Sequence, residues 1–220
     1  MSQSITHIYL MPGLAASPKI FEYIELPPQR YCLHFLEWQI PKREETFDSY
    51  AQRMCKFIEH ENAVLLGVSF GGMLVQEMSK FLNLKKLFVV SSVKSYHELP
   101  KRLKILKYTK AYKVLPTQWL SNIDLLAKYA FGETIKKRVD LYKKYLSVTD
   151  KTYLDWSIEQ IVCWKQDKPN PKAIYIHGDN DLVFPHSCQG DCIVVKGGTH
   201  IMILNKYKWF NENLPKLIES

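Results

Sequence analysis

The sequence predicts an α/β fold, a mostly parallel sheet of about six strands with helices on its faces. Short apolar runs alternate with segments of helical periodicity, the rhythm of strand–helix–strand units. One run, Ala63 to Val68, is apolar throughout, as expected of a strand buried on both faces. The residues best suited to chemistry fall just after such runs, on the edge where open α/β sheets bind ligands.

The elements follow in order. Ile5 to Met11 reads as a strand stopped by Pro12-Gly13, and Tyr31 to Leu36 as a second, followed by Trp38 and Pro41. Thr46 to His60 reads as a helix, with Phe47, Ala51, Met54 and Ile58 at helical steps. After the buried strand, Gly71 to Leu82 predicts a helix whose inner stripe is Met73, Leu74, Met78 and Phe81. Lys86 to Val93, Ala173 to His177 and Asp191 to Val195 supply three more strands, and Ile203 to Ile218 a closing helix.

Residues 94–169 differ in character. Leu99, Leu103 and Leu106 recur at helical spacing, and Pro116-Thr117 opens a segment that Gly132 ends. Ile135, Val139, Tyr142 and Leu146 form another stripe, and Asp150 is placed to cap a helix running to Trp164. Three to four helices between two strands suggest a lid (residues 94–169) on a core of residues 1–93 and 170–220.

Composition narrows the function. The 220 residues are 46% hydrophobic and 24% charged, which excludes disordered and low-complexity classes. No apolar run approaches the length of a membrane span, and the N-terminus lacks the features of a secretory leader. Five cysteines without a Cys-x-x-Cys pair argue against a disulfide framework and a zinc site, so free thiols in the cytoplasm are expected. The net charge is +8, and from Lys94 to Lys151 there are 14 Lys and Arg against 5 Asp and Glu, so the excess lies in the insert.

The strongest motif is Gly67-Val68-Ser69-Phe70-Gly71-Gly72, where the buried strand meets a helix. A serine on so sharp a turn takes strained backbone angles, and glycines two residues either side let neighbouring backbone pass. The turn projects the hydroxyl at a helix N-terminus, which favours developing negative charge. A Walker A loop and a dinucleotide Gly-x-Gly-x-x-Gly are both absent. A nucleophilic serine needs a base, and the base needs an orienting carboxylate. Downstream lie His177-Gly178-Asp179-Asn180-Asp181 after one strand and Gly197-Gly198-Thr199-His200 after the last.

In these motifs the chain resembles the α/β-hydrolases over nearly its whole length. The resemblance implies Ser69 as the nucleophile, Asp181 of the Gly-x-x-Asp loop as the acid and His200 as the base. Asp179 is the alternative acid. His177 and His186 flank the same loop, His177 as a structural residue; His7, His34, His60 and His97 read as packing or surface. The resemblance also implies an oxyanion hole from the backbone N–H groups of Phe70 and Leu14. Relatives commonly carry His-Gly in that first loop, where this chain has Pro12-Gly13. The chain begins at the strand usually counted as the third.

The expected activity is cleavage of a small or medium carboxylic ester through an acyl-enzyme, with no metal or organic cofactor. A thioesterase or an esterase for a carrier-bound acyl group is the alternative, as is a ligand-binding receptor of the same fold. Trp119 and Trp156 are candidates for lining the substrate pocket. Lys101, Arg102, Lys104, Lys107 and Lys110 form a cluster that suits an acidic carrier protein or another anionic ligand. The basic run has no recognisable nucleic-acid module, so no nucleic acid is expected.

Overall fold

The computed structural model describes residues 4–114, 144–185 and 192–220. Its centre is a six-stranded parallel sheet in the order β2-β1-β3-β4-β5-β6. The strands are β1 (Thr6–Met11), β2 (Tyr31–Phe35), β3 (Ala63–Val68), β4 (Leu84–Val90), β5 (Ala173–Gly178) and β6 (Ile193–Val195). The chain runs from β1 outward to β2, then crosses back to lay β3 on the other side of β1. The order therefore reverses between β1 and β3, the position in an open α/β sheet where ligands bind beyond the C-terminal ends of the strands. Among the described residues no helix is long and apolar enough to cross a membrane.

Every residue of β3 is buried, as its unbroken apolar composition requires. Leu65 and Leu66 on β3 and Phe88 on β4 are fully enclosed, and each such side chain contributes about 1.5–3 kcal/mol relative to exposure. Helix α1 (Phe47–Met54) starts at Thr46, whose Oγ1 accepts the Ser49 N–H. Helix α2 (Phe70–Met78) packs on β3 and β4 with α1 against it, so all nine of its residues are buried.

Several boundaries differ from the periodic reading. The first helix ends at Met54, because a tighter 3-10 turn takes Cys55–Phe57 and Ile58 is already extended. Ile58 still falls on the helical stripe, so periodicity alone does not register the change. Helix α2 ends at Met78, and Phe81, placed by spacing on the inner stripe, lies beyond it and is 41% exposed. The fourth strand runs two residues earlier and stops at Val90, before Ser91 turns to a positive φ of 48°. The closing helix is broken at Lys206 into α5 (Met202–Asn205) and α6 (Tyr207–Glu219).

Between β4 and β5 the described residues include α3 (Lys101–Thr109) and α4 (Lys151–Cys163). Asp150 caps α4, its Oδ1 accepting the Tyr153 N–H. Trp119, the Pro116–Gly132 segment, Tyr142 and His186 lie outside the described residues. Of the basic cluster on and just after α3, Arg102 donates to the Val183 carbonyl and Lys104 to the His97 carbonyl. Lys107 lies over the Tyr96 ring, while Lys101 and Lys110 are exposed. The expectation of five free thiols fails at Cys192, which is disulfide-bonded; Cys32, Cys55 and Cys163 are free. An odd count without Cys-x-x-Cys spacing carries no information about a single bridge.

Candidate active site

The turn after β3 has the strain its sequence predicts. Ser69 sits at φ 54° and ψ −120°, outside the regions open to most side chains, at the N-terminus of α2. Its N–H donates to the Val90 carbonyl on the neighbouring strand at 2.9 Å, and its carbonyl accepts the Ser92 hydroxyl at 2.7 Å. The flanking glycines are there for close approach. A Cβ on Gly71 would lie 2.3 Å from the Pro12 carbonyl oxygen, and one on Gly67 the same distance from the Gly71 oxygen. The serine turn and the loop after β1 are thus pressed together.

Three side chains meet at this edge. His200 Nδ1 donates to Asp181 Oδ2 at 2.9 Å. An ionised carboxylate only accepts, so the neutral imidazole carries its proton on Nδ1 and leaves Nε2 as an acceptor. The Ser69 hydroxyl donates to that Nε2 at 2.9 Å. The structure brings together Ser69, Asp181 and His200 from three separate loops.

Asp181 is buried and fully engaged. Burial alone would push its carboxyl up, but electrostatic attraction to His200 and hydrogen bonds from His177, His200 and the Phe184 N–H hold it far below the usual range. Its Oδ1 accepts the N–H groups of Val183 at 2.8 Å and Phe184 at 3.0 Å. Asp179 does a different job. It is exposed, and its Oδ1 accepts the Gly197 N–H at 2.6 Å, tying the acid loop to the turn that carries His200.

His177, read from the sequence as a structural strand end, is buried beside the acid. Its Nε2 lies 3.2 Å from Asp181 Oδ2 and 3.0 Å from the Phe184 carbonyl oxygen. Both neighbours only accept, so Nε2 carries a proton shared between them. Asp181 therefore has an imidazole on either side. Gly178 allows this packing, since a Cβ there would lie 2.2 Å from the Gly198 carbonyl oxygen.

The loop after β1 is held by aromatic residues that sequence reasoning left without a role. The Trp38 indole N–H donates to the Gly13 carbonyl at 2.8 Å. The Tyr153 hydroxyl, completely buried on α4, accepts the Ala15 N–H at 3.3 Å. The Ala15 carbonyl accepts N–H groups of Ser147 and Val148, both at 3.0 Å. A Cβ on Gly13 would lie 3.9 Å from Ser69 Oγ, so this loop approaches the hydroxyl directly, with Leu14 next in the chain. Only the side-chain chemistry of Trp38 and Tyr153, one donor and one acceptor in otherwise apolar settings, hints at such duty.

The Phe70 ring stacks on Trp38, with centroids 4.9 Å apart, and on Phe47. Trp156 meets Phe70 edge-on at 6.2 Å, is 8% exposed, and donates its indole N–H to the Glu45 carbonyl. Its described contacts are those of packing over the residue that follows the nucleophile candidate.

No family model matches the sequence, and no curated protein matches it. Solved structures do resemble its fold. A bromoperoxidase from Bacillus anthracis superposes with a TM-score of 0.72 at 15% identity, over 99% of this chain and 93% of that one. An esterase from Thermogutta terrifontis gives 0.70 at 12% identity, over 99% and 91%. An enol-lactonase from Burkholderia xenovorans gives 0.70 at 12% identity, over 99% and 92%. With its six parallel strands in this order, the chain has the α/β-hydrolase fold.

Proposed function

We propose that the protein is a serine hydrolase that cleaves a carboxylic ester of a small or medium acid. One observation carries the reading: His200 bridges Asp181 and Ser69 with both hydrogen bonds at 2.9 Å. Ser69 Oγ attacks the ester carbonyl carbon while His200 Nε2 takes the hydroxyl proton. The carbonyl electrons move to oxygen, and the oxyanion is held by the N–H groups of Phe70 and Leu14. Collapse expels the alcohol, which takes the proton from Nε2 and leaves an acyl-serine. Water repeats the sequence, releasing the acid and restoring Ser69. Asp181 keeps the imidazole in the right tautomer and stabilises its cation. Residues 94–169 act as the lid over the acyl group.

The esterase and enol-lactonase neighbours support acyl chemistry at such a site, while the fold alone does not choose among its reactions. A carrier-bound thioester is the second substrate class, favoured by the exposed Lys101 and Tyr108 on α3 and Lys110 just after it.

The test is labelling by a fluorophosphonate, with turnover of p-nitrophenyl esters of increasing chain length. The parent is expected to label and turn over, and Ser69→Ala to do neither. A folded parent that neither labels nor hydrolyses any ester would overturn the reading. Preference for a thioester, with a Michaelis constant that climbs with salt, would move the second class to the front.

A further inference from the structure

We propose that His7, Cys32 and His34 form a binding site for a zinc-like transition-metal ion, held between the edge strand β2 and its neighbour β1, towards the end of the sheet opposite Ser69. The register sets it up. His7 on β1 pairs with Cys32 on β2, and Tyr9 pairs with His34. Paired residues in neighbouring parallel strands share a face, and so do residues two apart along one strand. All four side chains therefore project from the same face across a single strand-to-strand gap.

The donor atoms are already gathered. His7 Nδ1 and His34 Nε2 are 2.9 Å apart, and one donor atom from each of His7, Cys32 and His34 lies within 4.8 Å of the others. A tetrahedral zinc ion spaces two imidazole nitrogens by about 3.3 Å and a nitrogen and a thiolate by about 3.6 Å. The imidazoles need only part slightly and the sulfur swing inward. Cys32 is a free thiol, and all three residues are half-buried, so an ion has a way in and a water can fill the fourth position.

The donor set selects the ion. Two imidazoles and a thiolate suit zinc and its late first-row neighbours; calcium and magnesium require oxygen ligands. His60 backs the site. Its ring stacks on His7 at 3.4 Å, and its Nδ1 accepts the Tyr9 hydroxyl proton at 2.7 Å while that hydroxyl accepts the Glu59 N–H. With Nδ1 so engaged, His60 orients His7 rather than binding the ion. Among the described residues strand β2 pairs only with β1, so an ion bridging the two would fasten the sheet edge.

The experiment uses the full chain without a polyhistidine tag, stripped with a chelator and then titrated with zinc or cobalt. One equivalent of zinc is expected, with a higher Tm, and cobalt should give a thiolate-to-metal charge-transfer band. Cys32→Ser should abolish the band, and both Cys32→Ser and His34→Gln should weaken zinc binding at least about tenfold. His60→Phe, which preserves the stack, should stay within about threefold. Should a variant not fold, alkylation of the parent decides: zinc should protect Cys32 and leave the alkylation of Cys163 unchanged. Failure to bind zinc, binding indifferent to Cys32→Ser and His34→Gln, or zinc that leaves Cys32 open to alkylation would each overturn the proposal.

Discussion

Histidines cluster at both ends of this sheet, and the two clusters are built differently. At the C-terminal edge, His200 lies between a hydroxyl and a buried carboxylate, and each nitrogen has one directional partner. At the other end, His7, His34 and His60 lie against one another with a thiol and a phenol close by. A carboxylate fixes one tautomer and favours an imidazolium, which is what a base needs. Neighbouring imidazoles disfavour one another's charge, and the lone pairs they present suit a metal ion. The surroundings, not the residue type, decide what a histidine is good for.

Matched substitutions break that comparison most sharply. Alanine at His200 is expected to lower kcat by at least about a thousandfold, because no other group takes the Ser69 proton. Alanine at His60 should leave kcat within about twofold, since it lies beside the N-terminal half of β1 and the chemistry follows its C-terminal end. Steady-state kinetics on one ester checks both. Equal losses would mean that the two ends are coupled.

Asp181→Asn sharpens the electrostatic half. Kcat should fall by about a thousandfold or more, because an amide no longer fixes the His200 tautomer. Stability should respond to acid as well. The native carboxyl is held below its unfolded value, so its contribution is complete above about pH 4 and is lost as pH falls below that toward the native value. Urea unfolding between pH 3 and 6 should show the parent weakening toward acid more steeply than the variant. Parallel slopes would remove Asp181 from the account.

The smallest expected effect tests the loop. Tyr153→Phe deletes the hydroxyl that accepts the Ala15 N–H and should cost about 1 kcal/mol in chemical unfolding. Kcat should drop a few-fold with little change in KM if the Leu14 amide depends on this loop for its aim. A change in KM alone would place Tyr153 in substrate binding instead.

Much of the site could be read from the chain because its signals are local. Gly67 and Gly71 around Ser69 are needed by backbone atoms a few residues away, and the serine, acid and histidine each follow their own strand. Gly178 and Gly198 likewise announce a close approach, though not that they approach each other. The strand–helix rhythm and the unbroken apolar run of β3 record the parallel sheet because burial dictates composition.

What the sequence determined by itself, then, was which segments form strands and which residues follow them, since backbone geometry and burial constrain residue type one position at a time. Helix ends were less legible, because Ile58 and Phe81 keep a helical spacing after the helix has stopped. Only the tertiary structure decided which residues meet. It chose Asp181 over Asp179 for His200, put His177 on the far side of that carboxylate, and set Tyr153 against a loop 138 residues earlier in the chain. It also brought His7, Cys32 and His34 together through strand register. These contacts join residues far apart in sequence, and nothing in a residue's immediate neighbours records the direction its side chain takes across the folded sheet.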